Sequence, residues 1–184
     1  MGKNFYTSDI HFGHKNIIKY SKRPYKSIDD MTEGLIKLWN SKVGEEDTVY
    51  ILGDMFYGVK LDYKKIINRL NGKKILIKGN HDQWIESDKN LKNLFLEVTD
   101  YKVIKDCGKQ IVLFHYPIIE WAYKNNGALH LYGHVHDICN METKIMYNMD
   151  NAYNVGADVN NLEPCTLEEI ISNKKKFGYA IYEK

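Results

Sequence analysis

Five times before residue 137, a short extended or apolar run ends in a cluster drawn from aspartate, asparagine and histidine. Asp9-Ile10-His11 follows residues 5–8, Gly53-Asp54 follows Val49-Tyr50-Ile51-Leu52, and Gly79-Asn80-His81-Asp82 follows Ile75-Leu76-Ile77. His115 follows Ile111-Val112-Leu113-Phe114, and Gly133-His134-Val135-His136 follows Leu129 to Tyr132. A short apolar run bounded by turn residues reads as a buried strand. Ligand sites of open α/β sheets lie in the crevice beyond the carboxyl ends of the strands, so five strand ends would deliver polar groups to one rim.

Helices are predicted between and after these strands. Lys15 to Tyr20 allows a short one. Between Ser27 and Val43 the residues Ile28, Met31, Leu35, Leu38 and Trp39 recur at helical spacing, with Asp29 and Asp30 at the end where the helix dipole favours negative charge. Tyr63, Ile66, Ile67 and Leu70 predict a helix stopped by Asn71-Gly72, and another is expected over residues 88–96. Val98 to Ile104 and Gln110 to Phe114 read as a hairpin turning at Asp106-Cys107-Gly108. Tyr153-Asn154-Val155 reads as a further strand, and Thr166-Leu167-Glu168-Glu169 has capping-box spacing for a helix through Lys175. Apolar strands alternating with helices early and a hairpin later predict a mixed α/β layered fold.

The 184 residues suit a single domain over 1–184, long enough to bury a core without a disulfide or structural metal. A metal here therefore needs a chemical reason. Cys107, Cys139 and Cys165 form no C-x-x-C, which suits a reducing compartment, and none falls in the five clusters. A net charge of +2 is too small to imply a nucleic-acid or acidic-membrane partner, and Lys174-Lys175-Lys176 reads as a solvated helix face. With no apolar stretch that could act as a secretory signal or span a bilayer, a cytoplasmic location and no membrane partner are expected.

Carboxylate, imidazole and amide oxygen without thiolate make a donor set suited to Mn, Fe or Zn. Asp9 and His11, like His134 and His136, are two residues apart, so in an extended segment both members point to one side. Asp9, His11, Asp54, Asn80, His115, His134 and His136 are too many ligands for one tetrahedral ion and enough for two if one carboxylate, most naturally Asp54, bridges.

The series Asp-x-His, Gly-Asp, Gly-Asn-His-Asp, His, Gly-His-x-His, running from Asp9 to His136, resembles the calcineurin-like metallophosphoesterases. The resemblance implies that Asp9, His11 and His136 hold one metal, that Asn80, His115 and His134 hold the other, and that Asp54 bridges them. It also implies a four-layer α/β/β/α sandwich of two mixed sheets flanked by helices. Two divalent ions, with manganese leading and iron, zinc or nickel as alternatives, would lie roughly 3.5–4 Å apart. They would lower the pKa of a shared water and stabilise both oxygens of an in-line displacement. His81 is surplus to the ligand count and is the expected general acid; the resemblance implies the same role. Asp54 and His81 are thus the expected catalytic pair.

In phosphatases of this family the Gly-Asp motif continues to a second Asp, which orients the catalytic histidine, and an Arg, which holds phosphate; here Tyr57 and Gly58 stand there. Asp82 is a possible substitute for the first. For the second, only Arg23 and Arg69 exist, and a bidentate fork for phosphate requires arginine. Arg23, in a turn between two early helices, is expected at the substrate, together with Asn80. His14 either lines the substrate pocket or caps the following helix, and His130 reads as a satisfied core histidine.

The leading expectation is a binuclear metal-dependent phosphoesterase acting on a small mono- or diester, with nucleotides or phosphodiesters leading and no stable duplex nucleic-acid complex. The alternative is a catalytically weak metal-binding scaffold for protein interaction, against which the retained His81 argues.

Overall fold

The computed structural model describes residues 2–58 and 61–182, with the backbone alone over 175–182. Strands β1 (Asn4–Thr7), β2 (Thr48–Leu52), β3 (Lys73–Ile77) and β4 (Glu97–Thr99) form one sheet in that order, parallel throughout. Strands β5 (Tyr101–Asp106), β6 (Lys109–Phe114), β7 (Leu129–Tyr132) and β8 (Ala152–Asn154) form a second, mixed sheet, antiparallel only between β5 and β6. Helices α1 (Ile17–Tyr20), α2 (Ile28–Lys42), α3 (Tyr63–Ile67), α4 (Met141–Asn148) and α5 (Leu167–Tyr182) complete the fold.

Strand alternation builds the layers, because successive side chains point to opposite faces. Phe5, Val49, Ile51 and Leu76 pack outward against Met31, Leu35 and Trp39 of α2 and Ile66 of α3. Tyr6, Tyr50, Leu52, Ile75 and Ile77 pack inward against Ile111, Leu113, Leu129 and Leu131 of the second sheet. The far face of that sheet, with Val112 and Ala152, is covered by Trp121 and by Met146 of α4. The result is the α/β sandwich of two four-stranded sheets flanked by helices that the motif series implied.

Local signals account for most boundaries. Ser27 caps α2 by accepting from the Asp30 amide, and Asp29 and Asp30 sit in its first turn. Thr166 and Glu169 form the expected reciprocal cap at α5. Cys107 and Gly108 both take positive φ in the two-residue turn of the β5–β6 hairpin.

Four expectations need correction. The run Val98 to Ile104 is not one strand: it breaks at Asp100, with β4 joining the first sheet and β5 the second. The helix expected over 88–96 is replaced by a 3-10 turn at Lys92–Leu94, which follows another at Asp82–Glu86. There the Asp88 side chain accepts from the Asn90 amide and competes with helical bonding, while Leu91 and Phe95 still reach the core. Helix α4 was not foreseen, although Asn140 and Thr143 form a capping box at its start. Lys174 is not simply solvated, since its Nζ donates to the Met149 and Ala152 carbonyls at 2.6 and 2.9 Å; the side chains of Lys175 and Lys176 lie outside the described residues. Among the described residues no helix is long and apolar enough to cross a membrane.

Candidate metal centre

Residues from the carboxyl ends of β1, β2, β3, β6 and β7 meet at one rim. Asp9, His11 and His136 bring ligand atoms within 4.8 Å of one another, and so do Asp54, His115 and His134. Asp54 joins the two groups: its Oδ2 lies 3.8 Å from His11 Nε2 and 3.7 Å from His115 Nε2. Asn80 comes to the second group, with its Oδ1 3.1 Å from His115 Nε2. All seven residues named from the motif series are thus gathered around one opening of about 320 Å³ or immediately beneath it.

The backbone turns sharply where it delivers these groups. Asp9, His11, Asp54, His134 and His136 all have positive φ, between 48° and 71°. Such conformations cost roughly 1–3 kcal/mol each and persist where the surroundings over-determine them. Glycines make the close approach possible. A Cβ at Gly79 would run into Asp54 Oδ1 and the His115 ring, and one at Gly133 would run into Ser8 Oγ and Asp9 Oδ2. Those two glycines precede the candidate ligands Asn80 and His134, so the Gly-Asn and Gly-His pairs of the sequence have a steric reason.

Hydrogen bonds aim four of the candidate ligands. The Asp9 carboxylate accepts from Ser8 Oγ at 2.6 Å and from the His134 amide at 2.9 Å. Asp54 Oδ1 accepts from the His81 amide, which leaves Oδ2 for the centre. His115 Nδ1 lies 2.7 Å from the Leu52 carbonyl, which can only accept, so Nε2 presents a lone pair toward Asn80 Oδ1. His136 Nδ1 is held 2.7 Å from Asp158 Oδ2, which turns Nε2 toward Asp9 Oδ1 at 3.9 Å. A carboxylate or carbonyl behind a histidine in this way fixes its tautomer and raises its basicity as a ligand.

The site fits divalent cations on its own chemistry. Both ring nitrogens of His11 are buried without a hydrogen-bond partner, a costly state for polar atoms unless an ion engages one of them. Burial, reinforced by positive charge at His136 and Arg23, pushes His11 down to about 2, so its ring is neutral and one nitrogen offers a lone pair to an ion. Burial likewise lowers His134. Burial raises the Asp9 carboxyl, against the pull of His136 and His115, which is the signature of an anion lacking sufficient counter-charge. For His136 burial acts downward, but the Asp158 bond and the Asp9 charge carry the group above its ordinary value.

The expected substrate residues fare unevenly. His14 lines the opening with His81, and its ring stacks on Tyr57 at 3.9 Å; the α1 cap position is Asn16, so His14 is not its cap. Arg23 does not reach the opening. Its guanidinium is buried, donating to both Asp158 oxygens and to the Asp9 and Ile10 carbonyls, so it clamps the first ligand loop from beneath. Asp82 does not orient His81 either: its buried carboxylate accepts from the Asp54, Met55 and Gly79 amides and from Trp84 Nε1. It ties the β2 and β3 loops together. The ring nearest His81 is Tyr57, edge-on at 4.9 Å. Asp158 escaped the reading of the sequence, because a lone Ala-Asp pair beyond a short strand carries no motif.

An α/β sandwich that gathers two aspartate–histidine groups with buried carboxylates at the ends of its strands, joined by one of those carboxylates, defines a metal-dependent hydrolase architecture. The calcineurin-like phosphoesterase family matches residues 5–137, and the chain belongs to that family. It is 32% identical over 173 residues to an uncharacterized protein of Methanocaldococcus jannaschii, covering 93% of this chain and 90% of that one. The Gene 66 protein of Mycobacterium phage D29 is 30% identical over 161 residues, covering 74% of this chain and 79% of the phage protein. A crystal structure of a protein of unknown function from Aquifex aeolicus superimposes with a TM-score of 0.73 at 30% identity, covering 94% of this chain and 99% of that one.

Proposed function

We propose that this chain, as a single domain, hydrolyses small phosphate mono- or diesters with two divalent metal ions, manganese leading. The observation that carries this reading is the position of Asp54 Oδ2 between His11 Nε2 and His115 Nε2, where one carboxylate oxygen serves two ligand groups. Asp9, His11 and His136 would hold one ion, Asn80, His115 and His134 the other, and Asp54 both. When bound, such a pair activates water near neutral pH and offsets charge on the attacking and leaving oxygens.

The chain's own residues do the rest. Asp54 and Asp9 set the charge of the centre, and Asn80 and His14 face the ester. His81 lines the opening with its ring exposed, 5.7 Å from the His11 ring, where it can donate a proton to the departing oxygen as the phosphorus–oxygen bond breaks. With Arg23 engaged by Asp158, the phosphate is held by the centre itself rather than by a guanidinium fork.

Metal-reconstituted hydrolysis of a nitrophenyl phosphate monoester and a bis-nitrophenyl diester, with Mn, Ni, Zn, Mg and no metal, tests this reading. Turnover that requires a transition metal is expected. Two bound metals by elemental analysis, without turnover of either ester, would sink it in favour of a metal-binding interaction scaffold.

A further inference from the structure

A second cleft, of about 710 Å³, opens beside the metal centre, and His81 lines both spaces. The buried Phe56 and Trp84 form its floor, the half-buried Tyr63 and the exposed Tyr57 its accessible rings, and the exposed Gln83 and Ser87 add an amide and a hydroxyl. Three of the rings form a packed unit: Phe56 meets Trp84 at 4.7 Å, and Tyr63 meets Phe56 and Trp84 each at 5.1 Å. Tyr57 stands apart from that unit. It stacks on His14, a residue of the metal opening, and meets the His81 ring edge-on, so Tyr57 and His81 form the ridge between the two spaces.

The walls are pre-formed. Trp84 Nε1 donates to Asp82, which is pinned to three backbone amides, and Tyr63 Oη donates to the Gly58 carbonyl at 2.8 Å. A ligand entering here pays little ordering entropy. The volume falls in the range of small-molecule sites, about 300–1,000 Å³. Tyr57 is 40% exposed, an aromatic face left open at the mouth of an aromatic cleft.

The geometry points to this cleft as the seat of a nucleobase carried on the leaving-group side of the scissile phosphoester. The inference rests on the phosphoesterase reading above, because there the departing oxygen takes its proton from His81 and the leaving group must lie on the His81 side of the phosphorus. The space on that side is aromatic. Base–aromatic stacking strengthens binding by about 5- to 150-fold per base and tolerates any base. The Gln83 amide nitrogen donates to the Asn80 carbonyl and the Ser87 hydroxyl to the Trp84 carbonyl, which leaves Gln83 Oε1 and Ser87 Oγ as acceptors for the donor edge of a purine or pyrimidine.

The test compares thymidine 5′-(methyl phosphate) with its abasic counterpart, in which hydrogen replaces the base. Both leaving groups are primary 5′-alcohols of similar intrinsic reactivity, so the ratio of kcat/KM for their release reads base recognition. Taking that ratio within one preparation cancels differences in folding or metal loading. Wild type is expected to favour thymidine release by about fivefold or more, the low end of one stacked base. Tyr57→Leu and Tyr63→Leu should each bring the ratio down several-fold. A wild-type ratio near one, or a ratio that neither substitution moves, overturns the cleft assignment while leaving the phosphoesterase reading standing. Where neither ester is turned over, that reading fails, and saturation-transfer NMR of free thymidine decides on the cleft alone. Base-proton saturation that Tyr63→Leu abolishes supports it, and no saturation overturns it.

Discussion

Asp158 Oδ2 lies 2.7 Å from Nδ1 of His136, while Asp158 Oδ1 accepts from Arg23 Nε at the same distance. The candidate ligand His136, the Asp158 carboxylate and the Arg23 guanidinium form one line, buried at its last two members, and the same Arg23 holds the Asp9 and Ile10 carbonyls. Burial works against the Asp158 anion, yet the His136 and Arg23 bonds hold its carboxyl below the ordinary value. Asp158→Asn should therefore weaken one metal by about 10–100-fold, the usual effect of removing a partner behind a ligating histidine. Competition with a chromophoric chelator measures this, and an unchanged affinity would show His136 to be held by packing alone.

Asp54→Asn should lower metal content from two ions per chain to one at most. Asp54 Oδ2 lies within 3.8 Å of a histidine nitrogen from each of the two groups. Turnover should fall by at least about a hundredfold, the scale of losing a preorganised stabilising group. Full metal-dependent turnover in the variant would mean the bridge is misassigned.

His81→Ala should reduce kcat by about 10²–10⁴-fold, the range of general acid–base assistance, with metal content unchanged. His81 reaches Asp54 only through its backbone amide, which alanine retains. Loss of metal in the variant would instead place His81 among the ligands.

His130 supplies a pH test away from the centre. Its ring is fully buried, with Nδ1 facing the Val112 carbonyl and Nε2 accepting from the Ile118 amide, and burial pushes it down to about 4. Because the folded value lies below the unfolded 6.5, this residue costs nothing above pH 6.5, and stability falls as pH drops from there toward 4. The total is on the order of 3 kcal/mol. Urea unfolding at pH 7 and pH 4.5 should show a smaller acid loss in His130→Gln than in wild type, and equal losses would refute the assignment.

Gly133→Ala should destabilise the chain by about 1–3 kcal/mol, because a methyl group there meets Ser8 and the Asp9 carboxylate. Thermal unfolding with and without metal would show the penalty, together with weaker metal stabilisation. A variant matching wild type in both would show that the Ser8 loop yields freely.

What the sequence alone determined is chiefly the centre. Each ligand cluster directly follows a strand-forming run, and strand ends in a layered α/β fold converge, so Asp9, Asp54, Asn80, His115 and His134 could be assigned to one rim from local pattern. The helical pattern starting at Ser27, the cap at Thr166 and the Cys107-Gly108 turn were equally local. Tertiary structure decided the rest. Alternation marks Val98 to Ile104 as extended but is silent on which sheet each half joins, and that choice divides the chain at Asp100. Arg23 and Asp158 are 135 residues apart, and Asp82 serves three amides across two loops, so the partner of each buried charge is set by packing. A charged side chain in the interior goes to whichever counter-charge or amide shields it from desolvation, and its neighbours in sequence do not reveal that partner.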